Sequence, residues 1–203
     1  MVEPPTEINT WRYENKFIIP YDFQKEIYHQ LAMHPARFSE VYEQRYVNNI
    51  YLDELDRHFY HENSDGIANR KKIRVRWYGH LYGKNTARLE MKIKKLFFHA
   101  IIPDLFKQSL DCLELVLLNR YARRYFLSLD KKFRITIDDN ITYYRMDNIG
   151  NLREGFKTKD PDMILELKYD KEHANSADQI SNFFPFRVTK NSKYMKGLEF
   201  TRF

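Results

Sequence analysis

Five stretches of the 203-residue chain set charged or polar side chains at every second position, four of them with apolar residues between, and that alternation most restricts what the chain can become. Glu14 and Lys16 form one such pair and Arg74 and Arg76 another; Glu90, Lys92 and Lys94, then Arg134 with Thr136, then Glu166 with Lys168 complete the series. Side chains two apart on a strand share a face. Ile73, Val75 and Trp77, then Leu89, Met91 and Ile93, then Leu165 and Leu167 take the opposite faces. One such strand would be an ordinary sheet with a wet side. A merely solvated face, however, mixes Ser, Thr and Gln freely, and these five, Thr136 apart, choose Arg, Lys and Glu.

The remaining periodicity fills in an α+β domain. Trp11–Ile19 alternates and stops at Pro20, and Tyr21–His34 carries Phe23, Ile27 and Leu31 at helical spacing before Pro35. Strands are predicted over Tyr46–Asp53, Arg70–Tyr78 and Arg88–Lys95. Further strands follow over Arg120–Leu127, Lys132–Asp138, Ile141–Met146 and Met163–Tyr169, with Asp139-Asn140 as a hairpin turn. Helices are predicted over Glu54–Glu62, Pro103–Leu118 and His173–Phe183, with a last helical turn over Thr189–Lys196. Short turns between consecutive strands imply antiparallel pairing with helices packed outside the sheet. Residues 1–10 form a loose leader, and residues 11–203 a single domain.

Composition narrows the classes. At 43% hydrophobic and 31% charged residues the chain is globular, and its 15 Phe, 15 Tyr and 2 Trp favour strands. No run approaches the about 18 apolar residues of a membrane span, and Met1–Pro5 lacks a secretory pattern. The single Cys112 excludes an internal disulfide and zinc sites built on paired cysteines; it falls in the Leu-rich predicted helix as a core residue. A cytoplasmic protein is the resulting expectation. His58 and His61, one helical turn apart, lack a third ligand and are assigned to the surface. Arg70, Lys71 and Lys72 are assigned to a solvated strand end.

The net charge of +6 calls for an acidic partner. Lys16, Arg74, Arg76, Lys92, Lys94, Arg123, Arg134, Lys168, Lys190 and Lys193 are ten cations, set against Glu14, Glu90 and Glu166. The excess of seven in this set accounts for the charge of the whole chain and leaves the rest near neutral. Crowded cations are tolerable in water or around a highly charged anion. A phosphate chain meets Arg with paired acceptors and Lys as a point charge. Carboxylates among them would repel phosphate, which suggests a hard divalent metal between the two. Nucleic acid is set aside because the aromatics fall where strands need apolar faces.

Six segments in order extend this reading: Tyr13–Lys16, Ile50–Asp53, Arg70–Gly79, Leu89–Lys92, Ile164–Tyr169 and Ser192–Gly197. Together they resemble the VTC domain, the polyphosphate-polymerase domain of the vacuolar transporter chaperone proteins, within the triphosphate tunnel metalloenzyme superfamily. The resemblance runs from about residue 11 to the end. It implies a closed eight-stranded antiparallel β-barrel, a triphosphate tunnel with helices outside, and Mg or Mn as cofactor. It further implies that Lys16, Arg74, Arg76, Lys92, Arg123, Arg134 and Lys193 act on phosphate during catalysis. Lys94, Tyr121, Lys168, Lys190 and Lys196 would help bind it, with Lys190 and Lys193 projecting together from one helical turn. Glu166 would be the principal metal ligand, supported by Glu90 and Glu14.

One position departs from the superfamily pattern: its leading strand begins Glu-x-Glu-x-Lys, and here the first acidic position is Arg12. A cation there disfavours a dedicated two-metal hydrolase. The expected reaction is transfer of the ATP γ-phosphoryl group to polyphosphate, with a metal-dependent triphosphatase and a non-enzymatic polyphosphate or inositol-phosphate binder as alternatives. Any membrane partner is unidentified, since this chain carries no membrane segment.

Overall fold

The computed structural model describes residues 13–68, 70–82, 86–93, 96–98, 112–147 and 151–201. Nine strands appear among them: β1 Tyr13–Pro20, β2 Ser39–Glu54, β3 Lys71–Tyr78, β4 Arg88–Ile93, β5 Leu96–Phe98, β6 Leu113–Leu127, β7 Phe133–Met146, β8 Leu152–Lys159 and β9 Asp162–Tyr169. The helices are α1 Gln24–Met33, α2 His58–Ser64, α3 Ala174–Asn182 and α4 Lys193–Phe200. The strands form one sheet in the order β1-β9-β7-β6-β2-β3-β4-β5, with β8 on β7. The pairings β1–β9, β9–β7, β7–β8, β2–β3, β3–β4 and β4–β5 are antiparallel. The fold is thus an α+β antiparallel sheet with a few helices, and the described hydrogen bonding runs along an open path from β1 to β5.

Several expectations need correction. The helix expected over Pro103–Leu118 is strand β6 from Leu113 onward, and residues 103–111 lie outside the described residues. Leu115–Leu118 is a continuous apolar run without a two-residue period because β6 lies inside the sheet, with Val116, Leu117 and Leu118 all buried. Cys112 is exposed, not core. Asp139-Asn140 makes no hairpin: β7 runs through it, with Asn140 alone at φ 49°, a left-handed excursion Asn tolerates. On one side β7 pairs with β9 over Phe133–Asp138 and with β8 over Thr142–Met146, so the excursion falls where its neighbour changes. Strand β8 was not anticipated, since Leu-Arg-Glu-Gly-Phe-Lys-Thr-Lys has no clean alternation.

Two compact units divide the chain, and β2, β6 and β7 contribute residues to both. The first draws on residues up to Gln44, Arg123–Asp139 and Pro161–Asn191. Its core sets the apolar faces of β1, β7 and β9 (Phe17, Ile135, Leu165 and Leu167 among them) against Ile27 and Leu31 of α1 and Ala177 and Ile180 of α3. The second draws on Arg45–Ala122, Asn140–Asp160 and residues from Ser192. There Leu52, Phe59 and Ile73 form one buried cluster, and Trp77, Leu118 and Met146 another. Helix α4 sits close to the sheet because of Gly197: a Cβ there would lie 2.5 Å from Leu117 Cδ2 and 2.6 Å from Tyr143 Cδ1.

His34 belongs to the first core and is buried. Its Nδ1 accepts the Ala36 N–H at 3.0 Å, so Nε2 carries the proton and faces the Ile180 carbonyl at 3.5 Å. Burial, only partly offset by that carbonyl, lowers its pKa below the ordinary histidine value. Its contribution to stability is therefore present above the unfolded value of about 6.5 and is lost as pH falls through the folded one. Urea unfolding should show the wild-type advantage over His34→Gln narrowing between pH 7.5 and 5; a constant gap would contradict this.

Candidate phosphate- and metal-binding site

In the first unit the register of β1, β9 and β7 brings charges together in rows. Glu14 of β1 lies opposite Lys168 of β9, which on its other side faces Arg134 of β7. In the next row Lys16 lies opposite Glu166, which faces Thr136. The Lys16 ammonium contacts Glu14 at 3.2 Å and Glu166 at 3.4 Å, and donates to the Asn191 carbonyl at 3.3 Å. Burial opposes its charge, but Glu166 and Glu14 outweigh burial and raise its pKa above the lysine norm. Lys168 lies 3.8 Å from Glu166. Burial pushes its pKa down to about 8; Glu166 opposes the fall and Arg123 reinforces it.

Arg123, from β6, grips the fully buried Asp138 with Nε at 2.5 Å and a terminal nitrogen at 2.6 Å, and that nitrogen reaches Glu166 at 3.7 Å. Asp138 was missed in the sequence. The alternation Arg134, Thr136, Asp138 points to it, because the third member has the same parity as the first two.

The second unit has its own rows, across β2, β3 and β4. Tyr51 lies opposite Arg74, and Arg74 opposite Glu90; Asn49 lies opposite Arg76, and Arg76 opposite Arg88. Glu90 takes Arg74 Nε at 2.7 Å and a terminal nitrogen at 2.6 Å on one oxygen, and Arg76 at 3.6 Å on the other. Burial works against the Arg74 charge, but Glu90 more than compensates and raises its pKa. Half-buried Lys92 lies opposite Lys72. Lys72 is not at a solvated strand end as expected: its ammonium donates to Ser192 Oγ at 2.7 Å, and Ser192 Oγ also caps α4 by accepting the Met195 N–H. Lys94 lies outside the described residues.

Helix α4 presents Lys193 and Lys196 at spacing three. The Lys193 ammonium stands 4.8 Å from the ring centre of buried Tyr121, and Lys196 donates to buried Asp160 at 2.7 Å. Lys190 is exposed and precedes this helix, which begins at Lys193, so the two do not share a helical turn as expected. Asp53 anchors α4: its carboxylate accepts the Tyr194 hydroxyl, the Phe59 N–H at 2.8 Å and the Tyr60 N–H at 3.0 Å. Neither Asp53 nor Asp160 stood out in the sequence as a support of this helix, because both partners are distant in the chain.

Glu14 and Glu166 offer hard oxygen donors on adjacent strands around one shared ammonium, a donor set that fits Mg or Mn in type. Glu90 is engaged by two arginines instead. A separate group, Glu54, Asp56 and His58, has donor atoms within 4.8 Å of one another at the β2–α2 corner. It is largely exposed and outside the expected ligand set.

The sequence matches the VTC domain over residues 11–100 and 105–202. The chain belongs to the VTC-domain family. No curated protein matches it. Among solved structures this VTC-domain chain is similar to a proposed adenylate cyclase from Vibrio parahaemolyticus, at 13% identity and a TM-score of 0.49, over 91% of this chain and 96% of that one. It is also similar to a proposed adenylyl cyclase from Hippeastrum described as having a dominant triphosphatase activity, at 9% identity and a TM-score of 0.48, over 89% and 92% of the two chains. Among the described residues no helix is long and apolar enough to cross a membrane.

Proposed function

We propose that this VTC-domain protein is a metal-dependent phosphotransferase that moves the γ-phosphoryl group of ATP onto a polyphosphate chain. The observation that carries the proposal is the pairing of carboxylate with cation across β1 and β9, Glu14 with Lys168 and Lys16 with Glu166, with Arg134 of β7 beside Lys168, inside a chain of this family. Phosphoryl transfer needs little covalent help. Charge on the transferring group must be neutralised and the acceptor held in line.

Lys16, Arg123, Arg134 and Lys168 of the first unit supply positive charge to phosphate oxygens, with Arg123 held rigid by Asp138. Arg74, Arg76, Lys92 and Lys193 of the second unit do the same, and Lys94, Lys190, Lys196 and Tyr121 extend the binding. Glu166 and Glu14 would hold Mg or Mn, and a bound divalent ion would neutralise charge on phosphate oxygens. Glu90 serves by aligning Arg74 and Arg76, a role distinct from the ligand role expected of it. The closed eight-stranded tunnel belongs to the same reading, and would require further hydrogen bonding at β1 and β5, the two ends of the described path.

Incubation of purified protein with ATP and Mn, followed by gel separation, should give a ladder of polyphosphate and ADP. Orthophosphate alone would instead identify a triphosphatase. Binding of tripolyphosphate without turnover under any metal would make the protein a receptor.

A further inference from the structure

Arg123, Arg74 and Arg76 are held in two different ways. Arg123 and Arg74 are each gripped by a carboxylate, Asp138 and Glu90. Arg76 is gripped by an amide: its Nε donates to Asn49 Oδ1 at 2.7 Å, and Asn49 Nδ2 donates to Asn119 Oδ1 at 2.8 Å. Its carboxylate contact is the longer one, 3.6 Å to Glu90, which Arg74 holds at 2.6 Å.

Hydrogen-bond inventory fixes the direction of this relay. A guanidinium only donates, so Asn49 must turn its oxygen to Arg76 and its NH2 to Asn119. Asn119 must then present its oxygen, and its own Nδ2 is left without a partner among the described residues. Both amides are fully buried, whereas the Arg76 side chain keeps 12% exposure. Burying two amides and leaving one donor unsatisfied is costly. A carboxylate at position 49 would hold Arg76 more strongly, yet Asn is present.

We propose that Asn49 and Asn119 are positioning residues that orient Arg76 while leaving its charge available to a phosphate oxygen. The inference rests on the phosphate-binding reading above. A carboxylate at position 49, added to Glu90, would fix the same geometry and offset more of the charge; the neutral amide fixes the geometry alone. Of the two arginines that share Glu90, Arg76 thereby keeps more charge for an incoming anion than Arg74 does.

The test compares wild type with Asn49→Asp by calorimetric titration with tripolyphosphate, alongside thermal melts. Because the substituted side chain keeps the bond to Arg76, a purely structural role predicts unchanged affinity. The positioning role predicts a loss of roughly 10- to 100-fold, the scale of one charge-assisted hydrogen bond, with a melting temperature at or above that of wild type. Wild-type affinity in a well-folded Asn49→Asp would overturn the inference and leave the phosphate-binding reading standing. Absence of tripolyphosphate binding by wild type would overturn both. Should Asn49→Asp not fold, arginine side-chain NMR of the wild type decides: tripolyphosphate should shift the terminal NH2 signals of Arg76 while its Nε–H signal stays in slow exchange. Unmoved NH2 signals would refute the proposal.

Discussion

Replacing Glu166 with alanine is expected to lower metal-dependent turnover of ATP roughly 100- to 1000-fold, the scale set by removing one preorganised electrostatic group or metal ligand from an active site. Glu166 touches three cations: Lys16 at 3.4 Å, Arg123 at 3.7 Å and Lys168 at 3.8 Å. Two of them keep another carboxylate in the variant, Lys16 through Glu14 and Arg123 through Asp138, so the fold should survive. Lys168, already pushed down to about 8, should lose charge further. The variant also separates the two tasks of the site. Taking away a negative charge should leave metal-free binding of tripolyphosphate as strong as before or stronger, while turnover with Mn collapses. Steady-state rates with ATP and Mn, set beside metal-free calorimetry, measure both. Wild-type rates in the variant would remove Glu166 from the mechanism.

The largest loss of stability is expected from Asp53→Ala. The Asp53 side chain is fully buried and one carboxylate closes three structures at once. Oδ1 accepts the N–H groups of Glu54 and Phe59, both at 2.8 Å, while Oδ2 accepts Tyr60 N–H at 3.0 Å and the Tyr194 hydroxyl. The first turn of α2 and the middle of the β2–α2 corner thereby share an anchor with α4, the helix that presents Lys193 and Lys196. Burial and the Asp53 carboxylate together hold the Tyr194 hydroxyl protonated above the ordinary tyrosine range. Alanine would strand buried donors on both elements, at a cost of about 3–5 kcal/mol. Tyr194→Phe removes one of the four bonds and should cost about 1–2 kcal/mol. Urea denaturation of the three proteins ranks them, and an Asp53→Ala midpoint equal to that of wild type would show that the anchor carries no weight.

How far the sequence discloses this arrangement depends on which interactions are local. Strands β3 and β4 were legible because their alternation is uninterrupted, and β1 and β9 because part of each keeps it; the same two-residue period put Glu14, Lys16, Arg74, Arg76, Glu90, Glu166 and Lys168 on shared strand faces. What the period cannot show is who faces whom. Glu90 was expected beside a metal, and only the pairing of β3 with β4 reveals it between two arginines. Asp138, Asn49 and Asn119 were passed over because a buried acid or amide looks like any other polar residue until its partner strand is known. The misread segment around Leu115–Leu118 fails for the opposite reason: a stretch of strand buried on both faces has no polar side to mark its period.

The register of the charged rows has a consequence for how the sheet finds itself. A slip of one residue between β1 and β9 would turn apolar faces outward and is rejected by burial. A slip of two keeps that parity, so burial alone would not oppose it. In one direction, however, it sets Lys16 against Lys168, and in the other Glu14 against Glu166. Strands β3 and β4 lack this check: their register already sets Arg76 against Arg88 and Lys72 against Lys92, and a two-residue shift would only give Glu90 a different cation, Arg76 or Lys72. Like charges directly opposite each other destabilise a pair. On β1 and β9 the groups gathered for phosphate thus also proofread assembly, and reversing the charge of Lys16 or Lys168 would loosen the choice of alignment as well as the hold on an anion.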